Sequence, residues 1–251
     1  MKFRLRAFGF HLLGSGAVLT LALGGLYAGW YRWPGWYLAQ VLPVVGVLAA
    51  VDLALGPLVT LIIAAPGKPR RELTRDIAAV VLVQLIALGY GAKTLWDGRP
   101  LYYAYSETVL QVVQAYDLEP GAAAAARAAH LDLAPYWYSL PRWIWAPLPD
   151  DPAERARLIG GAMGGGFDVI AMPKYFRPWA QGLDVLRAQL DTVDDLKMFS
   201  PAEKKRLVLR MRAAGLDPLR RNAIPFSGRS RPLLAVFDPA TLRFLAILEC
   251  D

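Results

Sequence analysis

One charged residue stands inside a long apolar run. Asp52 is the sole charge between Leu38 and Ala64. An acid at the centre of a membrane helix costs about 2.5–3.5 kcal/mol on insertion scales, so it must face a partner and not lipid. It could anchor a polar group of a partner helix or serve as a proton site. It could equally be a hydrogen-bonded acid joining two helices of its own chain. Gly56 and Pro57 follow within five residues. Proline lacks an N–H and kinks a helix, which frees a carbonyl near Asp52; the Gly-Pro pair also serves plain packing. At about 1.5 Å per residue Asp52 lies about 18 Å from Ala64, a depth that falls between Gln84 and Tyr90 on the next apolar run. Asp52, Gly56, Pro57, Gln84 and Tyr90 are therefore the candidate partner-binding residues.

The rest of the sequence offers little chemistry. His11 and His130 are the only histidines and Cys250 the only cysteine, so there is no disulfide within the chain and no metal-type Cys/His spacing. The glycine-rich Gly160–Gly166 lacks the Lys-Ser/Thr of a phosphate loop and reads as a helix end. No G-x-S-x-G occurs. The acid pairs Asp150/Asp151 and Asp194/Asp195 are adjacent, so their side chains point apart and suit helix caps or solvent. No catalytic residue, metal or cofactor is expected. Lys204, Lys205, Arg206, Arg210 and Arg212 form a basic helix face, with Arg220, Arg221, Arg229 and Arg231 in loop-like sequence beyond. A solvated face is the plain reading; anionic lipid or an acidic partner is the alternative. Trp137, Trp143, Trp145 and Trp179 with Tyr136 and Tyr138 form either an exposed protein-binding cluster or part of a core.

Composition points to a membrane. Of 251 residues, 55% are apolar and 20% charged, with a mean hydropathy of +0.31, against about 45–50% and about 25% in ordinary soluble domains. Residues 1–96 hold 9 Lys/Arg and 3 Asp/Glu, whereas 97–251 hold 19 and 18. The first part is thus +6 and the second +1. This split excludes a fully soluble or a disordered chain. It also argues against a nucleic-acid partner, because the basic excess borders apolar runs.

Residues 8–30, 38–64 and 76–96 each reach the roughly 20 residues that cross a hydrocarbon core, and in lipid they must be helices. The second is longer than required, so it tilts or begins at the interface. Lys2, Arg4 and Arg6 precede the first span, and Lys68, Arg70, Arg71 and Arg75 lie between the second and third. The positive-inside rule puts both of these segments in the cytoplasm and everything after Trp96 outside. Trp30, Tyr31, Trp33, Trp36 and Tyr37 then form an outer aromatic belt. A cleaved signal peptide is the rival for the first span, but its apolar part is too long and no A-x-A site follows. Gly14, Gly16, Gly24, Gly25 and Gly29 in the first span suit close helix packing, within the chain or with a partner helix.

The architecture is a membrane protein: three N-terminal transmembrane helices over 1–97, then one α+β domain over 98–251. Tyr102–Tyr105 and Val109–Ala115 read as strands and Ala122–Ala129 as a short helix. Trp143–Pro147 is extended. Helices cover 151–163, with Gly164–Gly166 as the stop, and 179–190. Ser200-Pro201-Ala202-Glu203 is a capping box opening a helix to Ala214, with Leu207, Met211 and Ala214 as its buried stripe. Leu233–Phe237 and Leu242–Leu248 flank a turn at 238–241, a hairpin.

Three segments carry a family resemblance. Asp52-Leu53-Ala54-Leu55-Gly56-Pro57-Leu58-Val59-Thr60-Leu61 with Pro66-Gly67-Lys68-Pro69, then Asp76 through Gln84–Gly91 to Arg99-Pro100, resemble the type IV pilin accessory proteins of the TfpX/TfpZ group. The start, Arg6–Leu13, is similar as well. The outer domain fits less sharply, through Leu148–Arg155 and Pro225–Arg229 with the terminal hairpin. The resemblance implies a bacterial inner-membrane protein with a periplasmic domain. It would bind or stabilise a pilin and support assembly without catalysis, its spans meeting the pilin helix and its outer domain the pilin head. Its partners would be a type IV pilin and membrane lipids. A membrane-anchored sensor or ligand-binding module is the alternative, although the topology leaves little cytoplasmic chain to receive a signal. An enzyme at the outer leaflet would need convergent acids, nucleophiles or a metal site, which the sequence does not show. An alkaline phosphatase fused after Asp251 is expected to be active and a β-galactosidase fusion silent; the reverse pattern would invert the topology.

Overall fold

A computed structural model describes residues 1–228 and 232–250. Arg229 and Arg231 of the basic group lie outside the described residues, as does the end of the Pro225–Arg229 segment. Two compact units divide the chain, Met1–Arg99 and Pro100–Asp251.

The first unit is helical: α1 (Lys2–Gly29), a single turn α2 (Gly35–Leu38), α3 (Leu42–Ala49), a π-helical segment Ala50–Leu55, α4 (Gly56–Ile63) and α5 (Arg70–Asp97). The helices Lys2–Gly29, Leu42–Ile63 and Arg70–Asp97 are long and apolar enough to cross a membrane. Phe10, Leu13 and Leu21 of α1 and Ile62 and Ile86 of the others are exposed, as helices apolar all round must be when hydrocarbon is their solvent. The second span begins at Leu42 and not at Leu38. Residues 35–38 make a separate turn, Gln40 takes φ +52°, and Pro43 opens the helix. The third begins six residues before Asp76, because no breaker follows Pro69 and Asp76 is paired with Lys68 and, at 3.6 Å, with Arg75. At the aromatic end, Trp30 meets Trp96 edge-on at 4.9 Å, and the Tyr31 hydroxyl donates to the Leu95 carbonyl at 2.5 Å.

Of the two readings of the α1 glycines, close packing within the chain is not what most of them do. A Cβ at Gly14, Gly24, Gly25 or Gly29 would meet nothing, and one at Gly16 would touch only Leu53 at 3.7 Å. The close approaches are at Gly56, against Gln84, and at Gly91, against Leu48, where a Cβ would collide. Small residues therefore bring the second and third spans together, while most α1 glycines leave bare backbone.

The second unit is one mixed sheet with helices. Its strands are β1 (Pro100–Ser106), β2 (Val109–Gln114), β3 (Arg142–Trp145), β4 (Arg177–Pro178), β5 (Ala223–Ser227), β6 (Pro232–Phe237) and β7 (Phe244–Glu249), in the order β4-β3-β1-β2-β5-β6-β7. The pairs β1·β3 and β2·β5 are parallel and the rest antiparallel. Helices α6 (Ala122–Ala128), α7 (Pro152–Met163), α8 (Leu183–Gln189) and α9 (Pro201–Ala213) lie between strands in the chain.

Strand β5 has no counterpart in the sequence reading, because Pro225 argues against an interior strand. The reason it is tolerated is geometric. Ala223 exchanges both backbone hydrogen bonds with Asp191 on the β2 side. Alternation then turns the Pro225 nitrogen to that same side, into the gap before the β2 ladder begins at Phe226. The β6 ladder loses no donor.

Two cores form. One gathers Tyr102, Ala104, Val113, Ile144, Val169 and Phe176; the other gathers Val193, Phe199, Leu207, Met211, Leu234 and Val236. The capping box at Ser200 is present, and its hydrogen bonds hold the Glu203 carboxyl below the usual range. Ala214 is a correction: it is the C-cap of α9 and exposed, so the stripe ends at Met211. Asp238 closes the β6–β7 turn by accepting from Thr241 N at 2.7 Å and Ala240 N at 3.0 Å, which lowers its pKa. The aromatics divide. Trp143 packs with Tyr103, Trp179 and Phe244 at 5.0–5.3 Å, whereas Tyr136, Trp137 and Tyr138 are exposed. Much of the basic group is engaged internally: Lys204 donates to Asp194 O, Arg206 to Cys250 O, and Arg221 pairs with Asp191 at 3.1 Å. Burial, with Glu203 adding to it, pushes the Cys250 thiol up to about 11. Leu207→Ala should cost about 2–5 kcal/mol and Ala214→Ser nothing measurable, read by denaturant unfolding of the full chain in detergent.

Candidate functional site

The buried residues of the second span fall at Leu48, Asp52, Gly56, Thr60 and Ala64, four apart, with Pro57 beside them. In a regular α-helix a four-residue step overshoots one turn by about 40°, so such a stripe would wind away from its neighbours. The π-helical Ala50–Leu55 holds extra residues per turn and keeps the stripe on one face.

That wide turn also strands a carbonyl. The Gly56 N–H bonds to Val51 O, one residue earlier than the α pattern would have it, and Pro57 has no N–H. The Asp52 carbonyl is left without a donor from its own helix. Gln84 supplies one: its Nε2 donates to Asp52 O at 3.1 Å. The same amide nitrogen donates to Ser15 Oγ at 3.3 Å. Gln84 Oε1 can then only accept, and it takes the proton of His11 Nε2 at 2.5 Å. In the neutral imidazole Nδ1 accepts from the Thr60 hydroxyl, also at 2.5 Å. His11 and Ser15 share one face of α1 by their i,i+4 spacing. Asp52, Thr60 and Gln84 are each at least 94% buried.

One atom stands outside this closed set. Asp52 Oδ2 is buried and has no hydrogen-bond partner. A cavity of about 460 Å³ adjoins it, lined by Ala7, His11, Gly14, Asp52, Val81 and Leu85 among others.

The structure thus brings together Asp52, Gly56, Pro57 and Gln84. Tyr90 stands apart: it is 76% exposed, and its carbonyl accepts from Thr94 in the next turn. Tyr90 therefore lies outside this cluster, on an exposed part of α5. His11, Ser15 and Thr60 belong to the cluster and were not singled out from the sequence. Their signal was the polar i,i+4 pair in the first span and the four-residue spacing from Asp52 through Gly56 to Thr60. Among the described residues no three His, Cys, Asp or Glu side chains gather as a metal site requires.

Comparison with known proteins adds a distant likeness. The chain is 25% identical over 116 residues to the "Fimbrial assembly protein, serogroups C1 and C2" of Dichelobacter nodosus, covering 46% of this chain and 88% of that protein. It is 26% identical to the serogroup I protein and 27% to the serogroup E1 protein of the same organism, over 46% of this chain and 45% of each relative. The match thus spans under half the length of those two relatives. No family model matches, and no solved structure does.

Gly56→Leu should displace the Gln84 amide and cost about 1–3 kcal/mol, lowering the thermal midpoint in detergent micelles. Gly24→Leu and Tyr90→Phe should leave the midpoint unchanged.

Proposed function

We propose that this chain is an inner-membrane accessory protein of type IV pilus biogenesis, of the TfpX/TfpZ type, that binds or stabilises a pilin without catalysis. The similarity to the Dichelobacter fimbrial assembly proteins carries the role in fimbrial biogenesis; the finer reading rests on the resemblance in residues 50–100. The three apolar helices support a membrane location. In this reading the N-terminus and the loop after the second span are cytoplasmic, and the α+β unit is periplasmic. A pilin awaiting assembly presents a long apolar helix and a globular head. The spans offer the helix a surface of bare glycine backbone and a buried polar cluster. The outer unit offers the head the exposed Tyr136, Trp137 and Tyr138. Asp52, Gly56, Pro57 and Gln84 act on the membrane side by shaping that surface. Tyr90 contributes through its exposed ring or not at all.

Removing the gene from its native host should lower membrane-bound pilin several-fold by immunoblot and abolish surface pili in electron micrographs, with both restored by the wild-type chain. Pilin and pili at wild-type levels without the gene would overturn the proposal.

A further inference from the structure

We infer that a transmembrane helix of another protein docks over the cavity between α1 and α5, and that one of its side chains enters the cavity and presents a nitrogen-borne hydrogen-bond donor to Asp52 Oδ2. The inference rests on the pilus reading only for which protein supplies the helix.

Three observations lead to it. First, Asp52 is 4% exposed and its Oδ2 is unpartnered, while the polar groups around it are committed. Both ring nitrogens of His11, the Thr60 hydroxyl and both ends of the Gln84 amide are already bonded to one another or to Asp52 O and Ser15. Gln84 lies beside the Asp52 carboxyl, but its amide hydrogens go to Asp52 O and Ser15 Oγ, and neither Gln84 nor Ser15 makes a hydrogen bond to Oδ2. Second, the cavity beside that oxygen is about 460 Å³, room for a few side chains and not for a helix, and its rim residues Phe10 and Leu85 are exposed. These exposed side chains belong to helices that meet acyl chains once the spans are in a membrane. Acyl chains carry no donor, and water is excluded from the hydrocarbon core. A donor at this depth must arrive on something apolar enough to reside there. Third, Gly14 lines the cavity, and a Cβ there would meet nothing. Bare backbone lets a second helix lie close enough to reach an oxygen recessed behind α1.

Charge complementarity selects the occupant. A buried carboxyl pairs with an amine, a guanidinium or an amide N–H. A second copy of this chain does not supply a cation at that depth, because residues 7–31, 33–67 and 76–92 contain no Lys or Arg before Lys68 and Lys93 at the span ends. The nitrogens that a second copy does carry at this depth, on His11 and Gln84, are engaged in its own cluster, so the partner is a different protein, with an apolar helix and one donor near its middle.

The test uses the full chain in phosphatidylethanolamine–phosphatidylglycerol vesicles. A fluorescent acceptor is placed on Leu21→Cys, since Leu21 is exposed and the native Cys250 is buried. The probes are two donor-labelled synthetic leucine–alanine helices of about 24 residues, identical except for lysine or leucine at the centre. The lysine probe should bind the wild-type chain at least about tenfold more tightly than its twin. Asp52→Asn, which is isosteric, should bring the two probes level. Gly14→Phe, which fills open space, should weaken both. Equal binding of the probes to the wild-type chain, or a lysine preference that survives Asp52→Asn, would overturn the inference. Energy transfer between copies without probe, abolished by Asp52→Asn, would assign the groove to self-association and overturn it too. A lysine preference in a chain whose deletion spares pilin would leave the groove standing and remove the pilus reading; lost pilin without a lysine preference would do the opposite.

Discussion

Hydrocarbon cannot donate a hydrogen bond, and the membrane unit is arranged around that fact. The bond from Gln84 Nε2 to Asp52 O is where it bears hardest. The wide turn at Ala50–Leu55 and the missing N–H of Pro57 leave a backbone carbonyl that only another helix can satisfy. Gln84 satisfies it, and is itself held by His11 and Ser15, so all three spans are tied at one depth. Gly56 follows from the same bond, because any side chain there would occupy the space of the Gln84 amide.

The wide turn is thus not a defect that Gln84 repairs. Without it the residues four apart from Leu48 to Ala64 would spiral off the contact face, and Asp52 would turn toward lipid. One irregularity aligns the stripe and creates the carbonyl that locks the stripe to α5. Such mutual dependence explains why a polar side chain, a proline and a glycine sit together in a segment otherwise built for burial in lipid.

Features carried by local chemistry were legible in the sequence. The Ser200 capping box, the Asp151 cap and the turn at Asp238 each depend on a few adjacent residues and appear in the structure where expected; the three apolar runs appear too, with shifted ends. Features that depend on distant partners were not. Strand β5 carries a proline whose harmlessness is visible only once Asp191 is known to pair with Ala223. The depth argument located Gln84 because rise per residue is a reliable ruler, but it carries no azimuth, so it admitted Tyr90 equally. His11, Ser15 and Thr60 are ordinary residues in isolation and become a cluster only when three helices are superposed. The glycines of α1 left packing within the chain and with a partner helix equally open; the close contacts within the chain are at Gly56 and Gly91.

The parallel ladder between β2 and β5 is short, Leu110 with Phe226 and Gln111 with Ser227. It nonetheless stitches the two halves of the outer domain, whose cores gather on β1–β3 and on β5–β7. Its strands lie about a hundred residues apart in the chain, so forming it carries the loop-closure entropy of the whole intervening segment for little pairing in return. Side chains join the halves as well, where Trp143 of β3 packs on Phe237 of β6 and on Phe244 of β7. The amides of so short a ladder then owe their protection from exchange to that aromatic packing as much as to pairing of their own.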